Sequence, residues 1–189
     1  MYDAIVPAGG RARRLGGVDK LGMHVAGTPL LDHVLAAVAG ARTVVCAGPA
    51  RATARPVVWC REDPPGAGPV AAIAAALPAT SADTVLVLAA DLPFVAPAVP
   101  ALLSALTPGA DVSVLVDATG QVNHLVAAWR RPALTDALAA LGDPTDAPMR
   151  VLAAGRRLVT VADTAGWGRD CDTWDDLEAA RTAYERAAT

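Results

Sequence analysis

A glycine pair and a cluster of basic side chains follow the first apolar run of the sequence. The residues concerned are Gly9, Gly10, Arg11, Arg13, Arg14 and Lys20. Glycine lets a ligand approach main-chain N–H groups, and the four positive charges stand out in a chain with a net charge of −3. This combination favours a polyanion such as a triphosphate. The segment lacks the P-loop and Gly-x-Gly-x-x-Gly fingerprints, so a plain turn followed by a solvated loop is the alternative interpretation.

A candidate metal ligand, Asp91, comes directly after the clearest buried strand, residues 84–90. The carboxyl ends of parallel strands form the ligand-binding edge of an α/β sheet, which predicts that Asp91 binds a metal there. A helix N-cap is the alternative role. It is disfavoured because Pro93 and Pro97 delay the next helix.

Apolar periodicity divides the chain into alternating strands and helices. Strands are predicted at 4–6, 43–46, 57–59, 84–90, 111–116, 122–129 and 158–161, and helices at 28–40, 70–77 and 149–154, with another opening at Pro132. Thr28 is the predicted N-cap of the first helix, and Thr173 with Asp176 has the spacing of a capping box. The alternation predicts an α/β fold with a mostly parallel central sheet, helices on both faces, and 122–129 as a candidate antiparallel strand.

Composition argues against several classes of protein. The 189 residues fit one domain, residues 1–189, and 53% are apolar, so a compact globular chain is expected. The net charge of −3 argues against broad binding of nucleic acid or membrane surfaces. Cys46, Cys60 and Cys171 match neither a disulfide framework nor a zinc motif. With no visible signal peptide or membrane span, a cytoplasmic protein is predicted.

The segment from Ala8 to Lys20, Ala-Gly-Gly-Arg-Ala-Arg-Arg-Leu-Gly-Gly-Val-Asp-Lys, resembles the signature loop of the MobA-like nucleotidyltransferases. Residues 68–72 are similar to the family's Gly-Pro-Leu-Ala-Gly, residues 91–93 to its Asp-x-Pro, and residues 170–177 to its closing Asp-x-Asp-Thr-Pro-Glu-Asp-Leu. Trp174 replaces the proline of that last motif. The resemblance spans nearly the whole chain. It implies a three-layer α/β/α domain of the nucleotide-diphospho-sugar transferase type.

The same resemblance implies transfer of GMP from Mg-GTP to the molybdopterin (molybdenum) cofactor, with release of pyrophosphate. Asp91 and Asp172 would hold Mg²⁺, while Lys20 and Arg14, together with Asp91, would be the catalytic residues. Nucleotide contacts are implied for Ala8, Gly9, Gly10, Lys20, Asp63, Gly68 and Asp91. Acceptor contacts are implied for Asn123, His124 and Asp170.

Three alternative functions remain open from the sequence. The first is the same chemistry with CTP or with a sugar phosphate as the acceptor. Relatives often carry an asparagine that contacts the base after the second strand, where this chain has residues 46–49, Cys-Ala-Gly-Pro. The second is an NAD-dependent oxidoreductase, because residues 66–71 match Gly-x-Gly-x-x-Ala before a helix. The third is a nucleotide-binding module without turnover.

Overall fold

The computed structural model describes residues 1–9 and 18–187. Its strands are β1 (Asp3–Pro7), β2 (His24–Val25), β3 (Thr28–Pro29), β4 (Val44–Ala47), β5 (Val58–Cys60), β6 (Thr84–Leu88), β7 (Val112–Val116), β8 (Val122–Arg130) and β9 (Leu158–Ala162). Its α-helices are α1 (Leu30–Ala37), α2 (Pro69–Ala76), α3 (Ala98–Ala105), α4 (Arg131–Leu141), α5 (Arg150–Ala153) and α6 (Trp174–Ala187). Short 3-10 helices cover Lys20–Gly22 and Leu77–Ala79. Across the described ranges, no helix has the length and apolar character needed to cross a membrane.

Seven strands form one sheet in the order β5-β4-β1-β6-β8-β7-β9. Strand β1 pairs in parallel with β4 and β6, β4 pairs in parallel with β5, and β7 pairs in parallel with β9. Strand β8 runs antiparallel to both β6 and β7. The prediction of a mostly parallel sheet is confirmed, and so is the antiparallel strand. Because β4, β1 and β6 are parallel neighbours, their carboxyl ends open onto the same edge of the sheet.

Helices cover both faces of the sheet because its strands alternate apolar side chains between two cores. Ala4 and Val6 of β1 pack in one core with Leu31 of α1 and with side chains of α3. Ile5 packs in the other core with Ile73 of α2 and with side chains of α4. Burying each side chain of this size contributes roughly 1.5–3 kcal/mol. The predicted three-layer α/β/α architecture is therefore confirmed.

A third apolar cluster lies beside the sheet and joins the β2–β3 hairpin to the C-terminal helix. Val25 of β2 and Leu30 of α1 pack there with Cys171, Leu177 and Ala180. The hairpin follows the 3-10 helix that carries Lys20, and Cys171 lies three residues before the first residue of α6. The cluster thus holds two segments that are distant in sequence close to the end of β6.

The start of α1 differs from the prediction. Thr28 is not the helix N-cap, because it lies in β3 and pairs with Val25 of β2. Pro29 occupies the N-cap position instead, and no side chain caps the helix. The tight turn between the two strands requires positive φ at Ala26 and Gly27, 50° and 78° respectively. Strand pairing across this turn outweighs the local capping preference of threonine.

The amino end of β1 is anchored by Asp3, whose side chain is fully buried. Its carboxylate accepts hydrogen bonds from the main-chain N–H groups of Thr43 (3.1 Å), Ser81 (2.6 Å) and Ala82 (2.7 Å) and from the Arg42 guanidinium (3.3 Å). Burial tends to raise the pKa of Asp3, but these hydrogen bonds outweigh burial and hold the pKa below its ordinary value. One carboxylate therefore ties β1 to the loops that precede β4 and β6.

Candidate active site

A cleft of about 1320 Å³ opens at the carboxyl edge of the sheet. Strands β1, β4 and β6 all end at this cleft, so the residues that follow them form its floor. The predicted site residues that line it are Ala8, Gly9, Lys20, Gly68, Asp91 and Asp172. Asp63, Asn123, His124 and Asp170 lie outside the lining. Gly10 and Arg14 fall outside the described residues.

Lys20 lies between the two carboxylates that were expected to hold a metal. Its Nζ donates hydrogen bonds to Asp91 Oδ2 and to Asp172 Oδ1. The side chains of Lys20 and Asp91 are only 13% and 18% exposed, whereas Asp172 is 41% exposed. Burial lowers the pKa of Lys20, but the two carboxylates outweigh burial and raise the pKa above its ordinary value. Lys20 is consequently a cation at neutral pH.

Asp172 reaches this position through the segment that precedes α6. The Cys171 N–H donates to the main-chain carbonyl of Asp91 at 3.2 Å, which joins the two carboxylate-bearing segments. Thr173 and Asp176 form the predicted capping box: the Thr173 N–H donates to Asp176 Oδ2 at 2.8 Å, and the Asp176 N–H donates to Thr173 Oγ1 at 3.1 Å. The capping-box prediction is confirmed. The cap fixes the start of α6 and so holds Asp172, the residue before Thr173, in place.

Asp170 stands close to this cluster without lining the cleft. Although the residue is largely exposed, partial burial of its carboxyl, followed by the charges of Asp172 and Asp91, raises its pKa above the ordinary value. The ammonium of Lys20 acts in the opposite direction. Two carboxylates therefore contact Lys20 and a third lies within electrostatic reach of it, so the negative charges of this group outnumber the one ammonium.

Main-chain atoms of β1 and β4 approach each other closely where the signature loop begins. The Ala8 N–H donates to the Ala47 carbonyl at 2.7 Å. A Cβ added to Gly48 would lie 2.6 Å from the carbonyl carbon and oxygen of Ala8. No side chain fits at that distance without moving the backbone. Gly48 is therefore required for the path that the chain follows into Gly9.

Glu62 is the main acidic residue of the cleft that the sequence analysis missed. It is only 6% exposed, its Oε1 accepts a hydrogen bond from the Gly66 N–H at 2.8 Å, and a Cβ added to Gly9 would lie 3.4 Å from the same oxygen. Its Oε2 is buried and has no partner within the described residues. Asp63, the predicted nucleotide-binding residue, is exposed. The adjacent acids Glu62 and Asp63 were the sequence signal for an acidic group in the cleft. The sequence does not show which of the two side chains points into the cleft.

The glycine-rich segment after β5 leads into α2 on one side of the cleft. Gly68 is the N-cap residue of α2, with φ 92° and with Pro69 at the start of the helix. The segment that also matches the dinucleotide pattern follows β5, which is an edge strand of the sheet. A dinucleotide fingerprint belongs on a strand at the switch point of the sheet. The geometry therefore does not favour the oxidoreductase interpretation.

Asn123 and His124 lie on β8 at an irregularity in its pairing with β7. Asn123 Nδ2 donates to the Gly168 carbonyl at 3.3 Å, on the segment that leads toward Asp172. Burial, followed by the positive charge of Arg150, lowers the pKa of His124. The imidazole is therefore neutral at pH 7. Its buried Nδ1 has no partner among residues that the structure describes.

Two arginines also line the cleft, and the sequence analysis did not single them out. Arg51, in the loop after β4, forms an ion pair with Asp19, the residue before Lys20. Arg61 comes directly after β5. Both follow strands whose carboxyl ends meet this edge, and that position was the signal that could have identified them. They add positive charge to the lining of the cleft.

The fold and the cleft together define a class of protein. A lysine and paired carboxylates at the carboxyl edge of a three-layer sheet are typical of a nucleotidyltransferase, whose task is to align phosphates and neutralise their charge. The family model described as the MobA-like NTP transferase domain matches residues 4–161. The chain belongs to the MobA-like NTP transferase family and is an enzyme of the nucleotidyltransferase class.

One curated relative and two solved structures illustrate the similarity. The molybdenum cofactor guanylyltransferase of Acidiphilium cryptum (strain JF-5) is 35% identical over 189 residues, covering 94% of this chain and 92% of the relative. A nucleotidyl transferase from Methanothermobacter thermautotroptrophicus superposes with a TM-score of 0.77 at 24% identity, covering 99% of both chains. Molybdopterin-guanine dinucleotide biosynthesis protein A from Archaeoglobus fulgidus superposes with a TM-score of 0.73 at 22% identity, covering 98% of this chain and 100% of that one. The two structures establish the shared fold.

Members of this family typically use a divalent metal ion, and the carboxylates of the cleft fit one. Asp91 and Asp172 lie side by side, because both contact the same lysine nitrogen. Carboxylate oxygens are the ligands that hard divalent cations prefer. Within residues 1–9 and 18–187, no group of three or more His, Cys, Asp or Glu side chains forms a metal cluster. A pair of carboxylates suits an ion that completes its coordination with waters and substrate phosphates.

Proposed function

We propose that the protein transfers GMP from Mg-GTP to the phosphate of molybdopterin cofactor and releases pyrophosphate. The observation that carries the proposal is Lys20 held between Asp91 and Asp172 in the cleft. The name and the 35% identity of the Acidiphilium cryptum relative support the choice of GTP and of the cofactor as substrates.

Nucleotidyl transfer requires mainly that the acceptor phosphate be aligned with the α-phosphorus of GTP and that the charge on the phosphates be neutralised. An oxygen of the acceptor phosphate forms a bond to the α-phosphorus of GTP, and the bond from that phosphorus to the β-phosphate oxygen breaks. No general base is needed, because the acceptor phosphate is already ionised. Asp91 and Asp172 would hold Mg²⁺, which supplies electrostatic stabilisation of the transferring phosphoryl group when bound. Lys20 and Arg14 would neutralise charge on the phosphates.

Main-chain groups at the start of the signature loop would bind the nucleotide. Ala8 and Gly9 supply backbone in the cleft, and the family resemblance adds Gly10, which lies outside the described residues. Gly68 also lines the cleft, where α2 begins. Small residues at these positions leave the backbone open to a planar base and to phosphate oxygens.

Glu62 is the residue that we assign to the guanine base. The Watson–Crick edge of guanine carries two adjacent donors, N1–H and the 2-amino group, and a carboxylate can accept both. The buried, unpartnered Oε2 of Glu62 in the cleft supports this role. Asp63, which the family resemblance favours, is the alternative residue for the same contact.

Replacing Glu62 with glutamine is expected to raise the KM for GTP by roughly 10- to 100-fold with a smaller change in kcat, because a hydrogen bond to a charged group in a buried site is lost. Wild type should prefer GTP over ITP, which lacks the 2-amino group, and Glu62→Gln should lose most of that preference. Steady-state kinetics with both nucleotides measures the effect. A larger loss of preference in Asp63→Asn than in Glu62→Gln would return the base contact to Asp63.

Acceptor contacts are proposed for Asn123, His124 and Asp170. Asn123 bonds to the segment that carries Asp172, and Asp170 lies near both proposed metal ligands. The unpartnered Nδ1 of His124 is a group that a polar acceptor could satisfy. These positions favour the β8 side of the cleft for the cofactor.

We further infer a single domain spanning residues 1–189 and a reducing, cytoplasmic setting. One seven-stranded sheet extends from β1 to β9, which supports the single domain. Cys46, Cys60 and Cys171 are all free thiols, as is usual in a reducing compartment.

Pyrophosphate release tests the proposed function directly. The assay uses Mg²⁺ with each of GTP, CTP, ATP and UTP, with and without molybdenum cofactor. We expect release only when GTP and the cofactor are both present. Release with CTP alone among the nucleotides would retain nucleotidyl transfer and remove the guanine assignment. No release with any nucleotide in the presence of the cofactor would contradict the proposed acceptor.

A further inference from the structure

The ammonium of Lys20 occupies the position between the carboxylates where a cation would be held. Its Nζ contacts Asp91 Oδ2 and Asp172 Oδ1, one oxygen from each carboxylate. The Lys20 side chain is only 13% exposed, so this is an enclosed contact and not a surface ion pair. A protein cation therefore already offsets part of the negative charge of the proposed metal ligands.

A metal ion and the Lys20 ammonium compete for these oxygens. An oxygen ligand lies about 2.1 Å from Mg²⁺, so an ion bound to the oxygens that Lys20 contacts would lie only a few ångströms from Nζ. Both groups are cations, and their repulsion at such a distance in a partly buried site is strong. Each cation therefore weakens the binding of the other at the carboxylate pair.

The phosphates of a nucleotide provide an alternative partner for the lysine. Lys20 is the last residue of the signature loop, and its flexible four-carbon stem lets the ammonium move between neighbouring anions. A triphosphate bound beside Ala8 and Gly9 would attract the ammonium away from both carboxylates. The nucleotide would thus release the metal site in the same step in which it brings its own metal.

We propose that Lys20 and a divalent cation exchange at the Asp91–Asp172 pair, so that the enzyme takes its metal as a metal–nucleoside triphosphate complex and not as the free ion. This inference rests on the proposed function, because it assumes that the pair is the metal site. Lys20 then has two successive partners: the carboxylates before the substrate binds, and the phosphates afterwards.

Binding of Mn²⁺ alone tests the exchange without any turnover. The free Mn²⁺ signal in electron paramagnetic resonance is measured during titration of the full chain with no nucleotide present. Wild type should bind the ion weakly, and Lys20→Met should bind it roughly 10- to 100-fold more tightly, within the range usual for coupling between two ligands. Lys20→Gln, a second neutral variant, should behave like Lys20→Met, and circular dichroism checks that both variants are folded.

Two control variants separate a local effect from a change in net charge. Arg157→Met also removes one positive charge, but its partner is Asp111, at the start of β7 and outside the cleft lining. It should leave Mn²⁺ binding as in wild type. Adding Asp91→Asn to Lys20→Met should remove the gain in affinity, which locates the ion at the carboxylate pair.

Equal Mn²⁺ affinities in wild type and Lys20→Met would overturn the exchange, whether both bind tightly or neither binds. In that event, GTP-dependent pyrophosphate release that still requires Asp91 would leave the proposed function standing. A tightened Mn²⁺ site without such release would support the exchange and contradict the proposed function. The experiments therefore distinguish a failure of the lysine–metal exchange from a failure of the proposed function.

Discussion

Replacing Asp91 with alanine is expected to lower kcat for nucleotidyl transfer by about 10²- to 10³-fold, the usual cost of losing one preorganised charged group at a reacting phosphate or oxyanion. Asp91 is one of two proposed metal ligands and contacts Lys20 in the cleft. Removing its carboxylate both weakens metal binding and leaves Lys20 without its more buried partner. Pyrophosphate release at saturating GTP and cofactor measures the loss.

Asp136→Ala is the matched control for this substitution. Asp136 is an exposed residue of α4 and should keep activity and stability close to those of wild type, because surface substitutions usually change stability by less than about 0.5 kcal/mol. Melting curves for Asp91→Ala should remain cooperative and near wild type, since the carboxylate does not belong to either core. The expected loss leaves Asp91→Ala with about a hundredth of wild-type kcat or less. Retention of more than about a tenth of wild-type kcat would therefore contradict the role assigned to Asp91.

Replacing Asp3 with alanine is expected to destabilise the protein by about 3–5 kcal/mol, the range observed when one partner of a buried charged network is removed. The main-chain N–H groups of Thr43, Ser81 and Ala82 would lose their acceptor in the interior, and Arg42 would lose its carboxylate partner. For a chain of this size the melting temperature should fall by roughly 6–20 °C. Urea and thermal unfolding measure both quantities, with Asp136→Ala again as the control.

The stabilisation from Asp3 should also depend on pH. Because the folded-state pKa of Asp3 is lowered, its contribution is fully present above the unfolded pKa of about 3.9 and is lost as pH falls through the lower folded value. The difference in unfolding free energy between wild type and Asp3→Asn should therefore be large at pH 6 and should shrink toward pH 3. An unchanged or growing difference at low pH would contradict this linkage.

Local sequence patterns were sufficient for most of the fold. Alternating apolar runs and turn residues predicted the seven strands of the main sheet in their chain order, because these signals act between residues close in the chain. The capping box of Thr173 and Asp176 was predictable for the same reason, since both residues belong to one helical turn. The signature loop ending at Lys20 was enough to identify the family. Thr28 was the exception, because pairing with Val25 outweighed its local preference.

The candidate site could be predicted only in part from the local sequence, and the rest depended on the folded structure. Asp91 could be predicted because a carboxylate after a buried parallel strand must lie at the ligand-binding edge. The sequence could not distinguish Glu62 from Asp63, because two adjacent acids differ only in the direction that the folded backbone gives their side chains. Arg51 was missed, since nothing in its local sequence indicates that its loop turns toward the residue before Lys20.

The sequence by itself determined the order of elements, the family and the chemical groups available, because those follow from residue type and short-range spacing. Only the tertiary structure decided which groups meet. Lys20 and Asp172 are 152 positions apart, and Asp3 accepts a hydrogen bond from a residue 79 positions away. Contacts at such separations arise from the packing of the sheet, the hairpin and α6 into one body, and no local pattern encodes them.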